Sequence, residues 1–116
     1  MSEPYTVQAE TLLDLPANWD GYGADRVSPL VLDRLMGFLN SLQPSLPHGS
    51  LVPGADGSVQ YEYHGLHFQI EICAEADLTL SGWLKDRDFS EEFEAEGDEA
   101  VGQHIHFRWA TDSRPS

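Results

Sequence analysis

The chain has 116 residues, with six Lys+Arg against twenty Asp+Glu and a formal net charge of −14. So acidic a molecule repels nucleic-acid phosphates and anionic membranes, which argues against direct binding to either and points to basic protein surfaces as partners. With 41% apolar residues it can bury one modest core, as expected of a single domain over residues 1–116.

Only one cysteine, Cys73, is present, so no internal disulfide can form; this suits a reducing compartment. The stretch MSEPYTVQAE lacks the basic and apolar parts of a secretory signal, and no apolar run reaches bilayer-spanning length. A cytoplasmic protein with no membrane association is the expectation.

Residues 1–27 combine an apolar cluster with a loop. Leu12, Leu13 and Leu15, together with Val7 and Ala9, suggest a short helix after Thr6 that is closed by Pro16. Asn18 to Val27 is rich in Asp and Gly and reads as a loop. Ser28 and Pro29 then supply a helix cap and a first helical residue. Leu32, Leu35, Leu39 and Leu42 recur at spacings of three and four, widened by Val31, Met36 and Phe38. The expected main helix runs from about Pro29 to Leu42, within residues 28–43, and Pro44 and Pro47 prevent its continuation.

A Pro/Gly/Ser connector over residues 43–58 ends in Asp56-Gly57, and a meander follows over residues 59–85. Apolar and polar residues alternate in Val59–Tyr63, Leu66–Ala74 and Leu78–Lys85. That period of two predicts strands with one buried face and one wet face. His64-Gly65 and Glu75-Ala76-Asp77 are short enough to close hairpins. Residues 86–100 are acidic, with eight carboxylates between Asp86 and Glu99. Phe89 and Phe93 lie four apart there, Asp88 can cap and Glu91 sits at the capping-box position. This segment is expected to be either a short acidic helix or a mobile loop. Val101, Gln103, Ile105, Phe107 and Trp109 alternate through residues 101–110, which reads as a fourth strand, and residues 111–116 form a tail. The expected fold is α+β: a two-layer sandwich with one main amphipathic helix on a four-stranded, mostly antiparallel sheet. Its polar sheet face is expected to carry His67, Glu71, Thr79, Trp83, His104 and His106.

The residues offer three candidate chemistries. Gly21-x-Gly23 resembles a nucleotide loop only superficially, because no strand precedes it, no third glycine follows and no Gly-Lys-Ser/Thr is present. Turn architecture explains it better: glycines at positive φ, Asn18 and Asp20 bonding nearby N–H groups, and Trp19 and Tyr22 packed behind. His64, His67, His104 and His106, with Glu71, do not have a spacing that specifies a metal, and no cofactor is expected. Cys73 shares a strand face with His67 and Glu71 but lacks the convergence of a nucleophile with its base, so it reads as an inert thiol and the chain as a non-enzyme.

Trp19-Asp20-Gly21-Tyr22-Gly23-Ala24, followed by Ser28-Pro29, an apolar helix and a strand introduced by Asp56-Gly57, resembles a group of small bacterial and mobile-element proteins. The resemblance spans roughly residues 12–85. It implies a shared fold unit and no catalytic residues. It also implies a setting in which small proteins commonly inhibit or neutralise other proteins, anti-CRISPR inhibitors among them.

The acidic segment lies beyond that pattern and is the best functional candidate. Asp86, Asp88, Glu91, Glu92, Glu94, Glu96, Asp98 and Glu99 would offer a negative ridge, with Phe89 and Phe93 as apolar anchors. The expected function is a small acidic inhibitor that binds a basic surface of a nucleic-acid-processing complex and blocks nucleic acid or subunit docking. An antitoxin or immunity protein is the alternative, and a metal enzyme built from His and Glu a remoter one. The molecule is expected to be a monomer or weak homodimer.

Overall fold

The computed structural model describes residues 6–42 and 49–105. Among them, helix α1 (Thr6–Leu13) and helix α2 (Pro29–Leu42) precede strands β1 (Ser50–Pro53), β2 (Val59–His64), β3 (Phe68–Ala74), β4 (Leu80–Asp86) and β5 (Glu91–Glu96), and helix α3 (Asp98–Ile105) follows. The strands form one antiparallel sheet in the order β1-β2-β3-β4-β5. The α+β class and the two-layer plan are as expected; the number and placement of elements differ.

Helix α2 forms as its sequence dictates. The Ser28 hydroxyl meets the Val31 N–H at 3.5 Å and the Ser28 carbonyl accepts from Leu32 at 3.0 Å. Val31, Leu32, Leu35, Met36, Phe38 and Leu39 are buried. They meet Val59, Tyr61, Ile70, Ile72, Ala74, Leu80 and Leu84, the inward residues of β2, β3 and β4. The helices share the work along the sheet: α1 packs at β1, α2 over β2 and β3, and α3 over β4 and β5. Gly82 lets α3 approach, since a Cβ there would lie 2.7 Å from a Val101 methyl.

Two expectations about the second half of the chain are corrected. Residues 91–96 are neither helix nor loop but strand β5. Phe93 and Ala95 face the core while Glu92, Glu94 and Glu96 alternate outward, and Phe93 sits opposite Leu84. The four-residue spacing of Phe89 and Phe93 suggested a helix, yet Phe89 is 68% exposed in the β4–β5 turn. Nor does Asp88 cap a helix: the Asp86 carboxylate accepts from the N–H groups of Asp88 at 3.1 Å and Phe89 at 3.4 Å, tying that turn.

The expected strand over 101–110 is instead helix α3 as far as Ile105; its remainder, like the tail at 111–116, lies outside the described residues. Val101 and Ile105 are both buried. Four residues apart, they satisfy a period of two and a helical turn equally well. Asp98 and Glu99 in the first turn favour the helix, because carboxylates suit the positive end of its dipole. Strand β1, inside the connector, was not expected at all. Five strands therefore replace four.

Two turns repeat one device. In Gly54-Ala55-Asp56-Gly57-Ser58 and Glu75-Ala76-Asp77-Leu78-Thr79, the first residue donates to the fifth carbonyl at 2.8 and 2.9 Å. The aspartate accepts from the N–H and hydroxyl of Ser58 or Thr79. The fourth residue has φ of 88° in Gly57 and 73° in Leu78. Glycine takes that conformation freely, whereas leucine is strained in it.

Candidate functional site

The loop after α1 is tied by the turn bonds expected of Asn18 and Asp20. Asn18 takes φ of 62°, and its side-chain oxygen accepts from Gly23 N–H at 2.6 Å. Asp20 accepts from Tyr22 at 2.8 Å and Ala24 at 3.1 Å. The Trp19 indole donates to the Asp25 carbonyl at 3.1 Å. Tyr22 is not packed behind the loop: between two glycines of positive φ it is 93% exposed.

With α1, α2 and α3 on one side, the opposite side of the sheet carries no element among the described residues. Register determines what stands there. One row across it reads Ser50, Glu62, Glu71, Trp83, Glu94 from β1 to β5. The next reads Val52, Gln60, Cys73, Ser81, Glu96, and a third His64, Gln69, Lys85, Glu92. Glu62, Glu71, Glu92, Glu94 and Glu96 thus share a face with Lys85 and His64. A shallow hollow of about 670 Å³ lies around Trp83, bounded by Gln60, Glu71, Cys73, Ser81, Glu94 and Glu96.

Like charges meet in the first row. Gly65 donates to the Phe68 carbonyl, so by alternation Glu62 and Glu71 form the closer, non-hydrogen-bonded kind of cross-strand pair. Carboxylates in that relation repel. The Gln60 amide donates to both, at 2.7 and 3.0 Å. It satisfies oxygens without supplying positive charge.

The ten residues expected to bind a partner are distributed over several surfaces. Glu92, Glu94 and Glu96 lie on the open face, while Glu91, Phe93 and Asp86 point to the helix side. Asp86 is 4% exposed and holds its turn. Asp88 contacts His67 Nδ1 at 2.7 Å, and Phe89 is at the same turn. Asp98 is held by Arg34, one contact measuring 2.7 Å, and that bonded guanidinium keeps the Asp98 carboxyl below its usual range. Glu99 accepts from Gln103 at 3.4 Å within α3. Of the residues expected on the polar sheet face, Glu71 and Trp83 are there. His67 and Thr79 lie in turns, His104 belongs to α3 and His106 lies outside the described residues. Glu62 had been missed, because only strand register brings it beside Glu71.

Chemistry at single groups is sparse. Among the described residues, no three His, Cys, Asp or Glu side chains gather as a metal-binding set. The Cys73 thiol contacts Glu75 at 3.4 Å; burial, reinforced by that carboxylate, pushes its pKa up to about 12. A thiol so rarely ionised is a poor nucleophile. No helix among the described residues is long and apolar enough to cross a membrane. Comparison with known proteins finds no matching family, no matching curated protein and no matching solved structure.

Proposed function

We propose that this protein is a small, non-enzymatic inhibitor of phage or mobile-element origin, of the anti-CRISPR kind. It acts in the cytoplasm by occupying a basic surface of a nucleic-acid-processing complex. The observation that carries this reading is the open sheet face, where Glu62, Glu71, Glu92, Glu94 and Glu96 share one side of the sheet with Trp83, and Lys85 stands among them. A basic groove built for phosphates is complementary to such a face, and long-range attraction speeds the encounter. Trp83 adds an aromatic surface of the kind on which arginine stacks. Of the eight carboxylates between Asp86 and Glu99, Glu92, Glu94 and Glu96 supply this face, at alternate positions of β5.

The test is functional. The chain is expressed in a host with an active CRISPR–Cas system and challenged with a targeted phage. Phage plating is expected to recover with the parent protein and to fall back when Glu92, Glu94 and Glu96 are replaced together by Gln. No recovery with the parent across the major system types overturns the anti-CRISPR reading. Neutralisation of a toxin encoded next to the gene would establish the antitoxin reading in its place.

A further inference from the structure

The two edges of the sheet end differently. Ladder bonds alternate along each strand, so the bonds that are given fix which main-chain groups point outward. On the β1 side, Gly54 donates to the Ser58 carbonyl; continuing the alternation, Leu51 and Pro53 face away from β2. Both outward positions are closed. The Leu51 N–H donates to the Gln8 side chain of α1 at 2.8 Å, and Pro53 has no N–H to offer. On the β5 side, Gly97 donates to the Leu80 carbonyl at 2.7 Å; by the same alternation Glu91, Phe93 and Ala95 bond to β4. Glu92, Glu94 and Glu96 therefore direct their N–H and C=O groups outward, with no partner for them among the described residues.

Resting on the reading that the partner is basic, we propose that the outer edge of β5 receives an extended lysine- or arginine-bearing segment of that partner as a sixth, antiparallel strand. Such addition takes affinity from main-chain bonds and specificity from alternate side chains. A residue bonded to Glu92, Glu94 or Glu96 stands directly opposite that glutamate, with its side chain on the open face about 5 Å away. Every second position of the incoming strand therefore meets a carboxylate. The six residues of β5 offer an edge about 20 Å long, at ~3.4 Å per residue. A second copy of the chain is the wrong occupant. An antiparallel β5–β5 pairing centred on Glu94 sets Glu92 against Glu96 and Glu94 against itself, and like charges directly opposite destabilise a ladder.

The probe is a decapeptide of alternating lysine and threonine, with one twin methylated on every lysine nitrogen and another on every threonine nitrogen. Charge is the same in all three. Calorimetry at low salt is expected to show binding of the parent peptide and of the threonine-methylated twin. The lysine-methylated twin loses at least about tenfold, because the main-chain nitrogens facing β5 are blocked and their hydrogen bonds are removed. Glu94→Gln keeps the outward N–H, whereas Glu94→Pro removes it without breaking a bond to β4; a thermal melt near the parent's shows that the Pro variant folds. The Pro variant is expected to bind the unmodified peptide at least about tenfold more weakly than the Gln variant. Equal binding by all three peptides, or by the two variants, overturns edge addition and leaves the acidic-face reading standing. Failure of the unmodified peptide to bind overturns it too, and the phage assay then decides the broader reading separately. Dimers of the free protein that the peptide dissociates would assign the edge to a second copy.

Discussion

The two faces of this sheet come from the same five strands, residue by alternate residue, and differ in almost every physical respect. On the helix side, Tyr61, Ile70, Ile72 and Leu84 are buried to within 1% of full burial. On the other side their sequence neighbours Gln60, Glu62, Glu71 and Lys85 are only partly covered, and two glutamates stand opposite one another. The first face holds the fold; the second carries repulsion that a protein selected for stability alone has no reason to keep. That difference makes adjacent residues good tests, because a change at position 71 and one at position 72 report on separate things.

The largest effect is expected at Ile72. Ile72→Ala removes fully buried methylenes and leaves a cavity between α2 and the sheet, at a cost of about 3–4 kcal/mol by chemical denaturation. A loss below about 1 kcal/mol would break the distinction between the faces. Next comes Gly82→Ala, whose new methyl would press on Val101. Overpacking there is expected to cost about 1–3 kcal/mol and to loosen α3 first, seen as faster amide exchange at Val101 and Ile105. On the open face the sign reverses. Glu71→Gln relieves the repulsion from Glu62 and is expected to stabilise by about 0.5 kcal/mol at low salt, with the gain fading as salt rises. A clear destabilisation would mean that the face is structural after all.

The smallest effect is chemical. With its pKa pushed up to about 12, the Cys73 thiol should react with a disulfide reagent far more slowly than a free cysteine at pH 8, and match it only after unfolding. A thiol pKa raised on folding favours the native state while the group is protonated. That contribution is complete below the unfolded thiol's pKa and is lost as pH climbs through about 12.

The legible parts of the sequence were those in which several signals agreed. Helix α2 had a cap, a proline at its first position and leucines at helical spacing. Strands β2, β3 and β4 had clean alternation. The ends were less legible for physical reasons. Leu66 continues the alternation of β3 but is 71% exposed in the preceding turn, because pairing starts only at Phe68, opposite Asp86 of β4. Strand β1 is four residues long and owes its form to pairing with β2 and to Gln8. The glutamates of β5 are poor strand formers on their own; Phe93 and Ala95 are held by contact with α3, which no local pattern reveals. The pair Val101 and Ile105 was ambiguous between two periods. For the site, the wet face was legible from alternation, while the row that joins Glu62, Glu71, Trp83 and Glu94 required the register of three ladders.

The strand order has a kinetic consequence. Each strand pairs with the next one in the chain, so no pairing waits for a distant segment to arrive. Loop closure is inexpensive at every step, and chains with such local connectivity fold quickly for a sheet protein. The outermost strands, having one neighbour each in the sheet, are expected to be the first to exchange their amides with solvent.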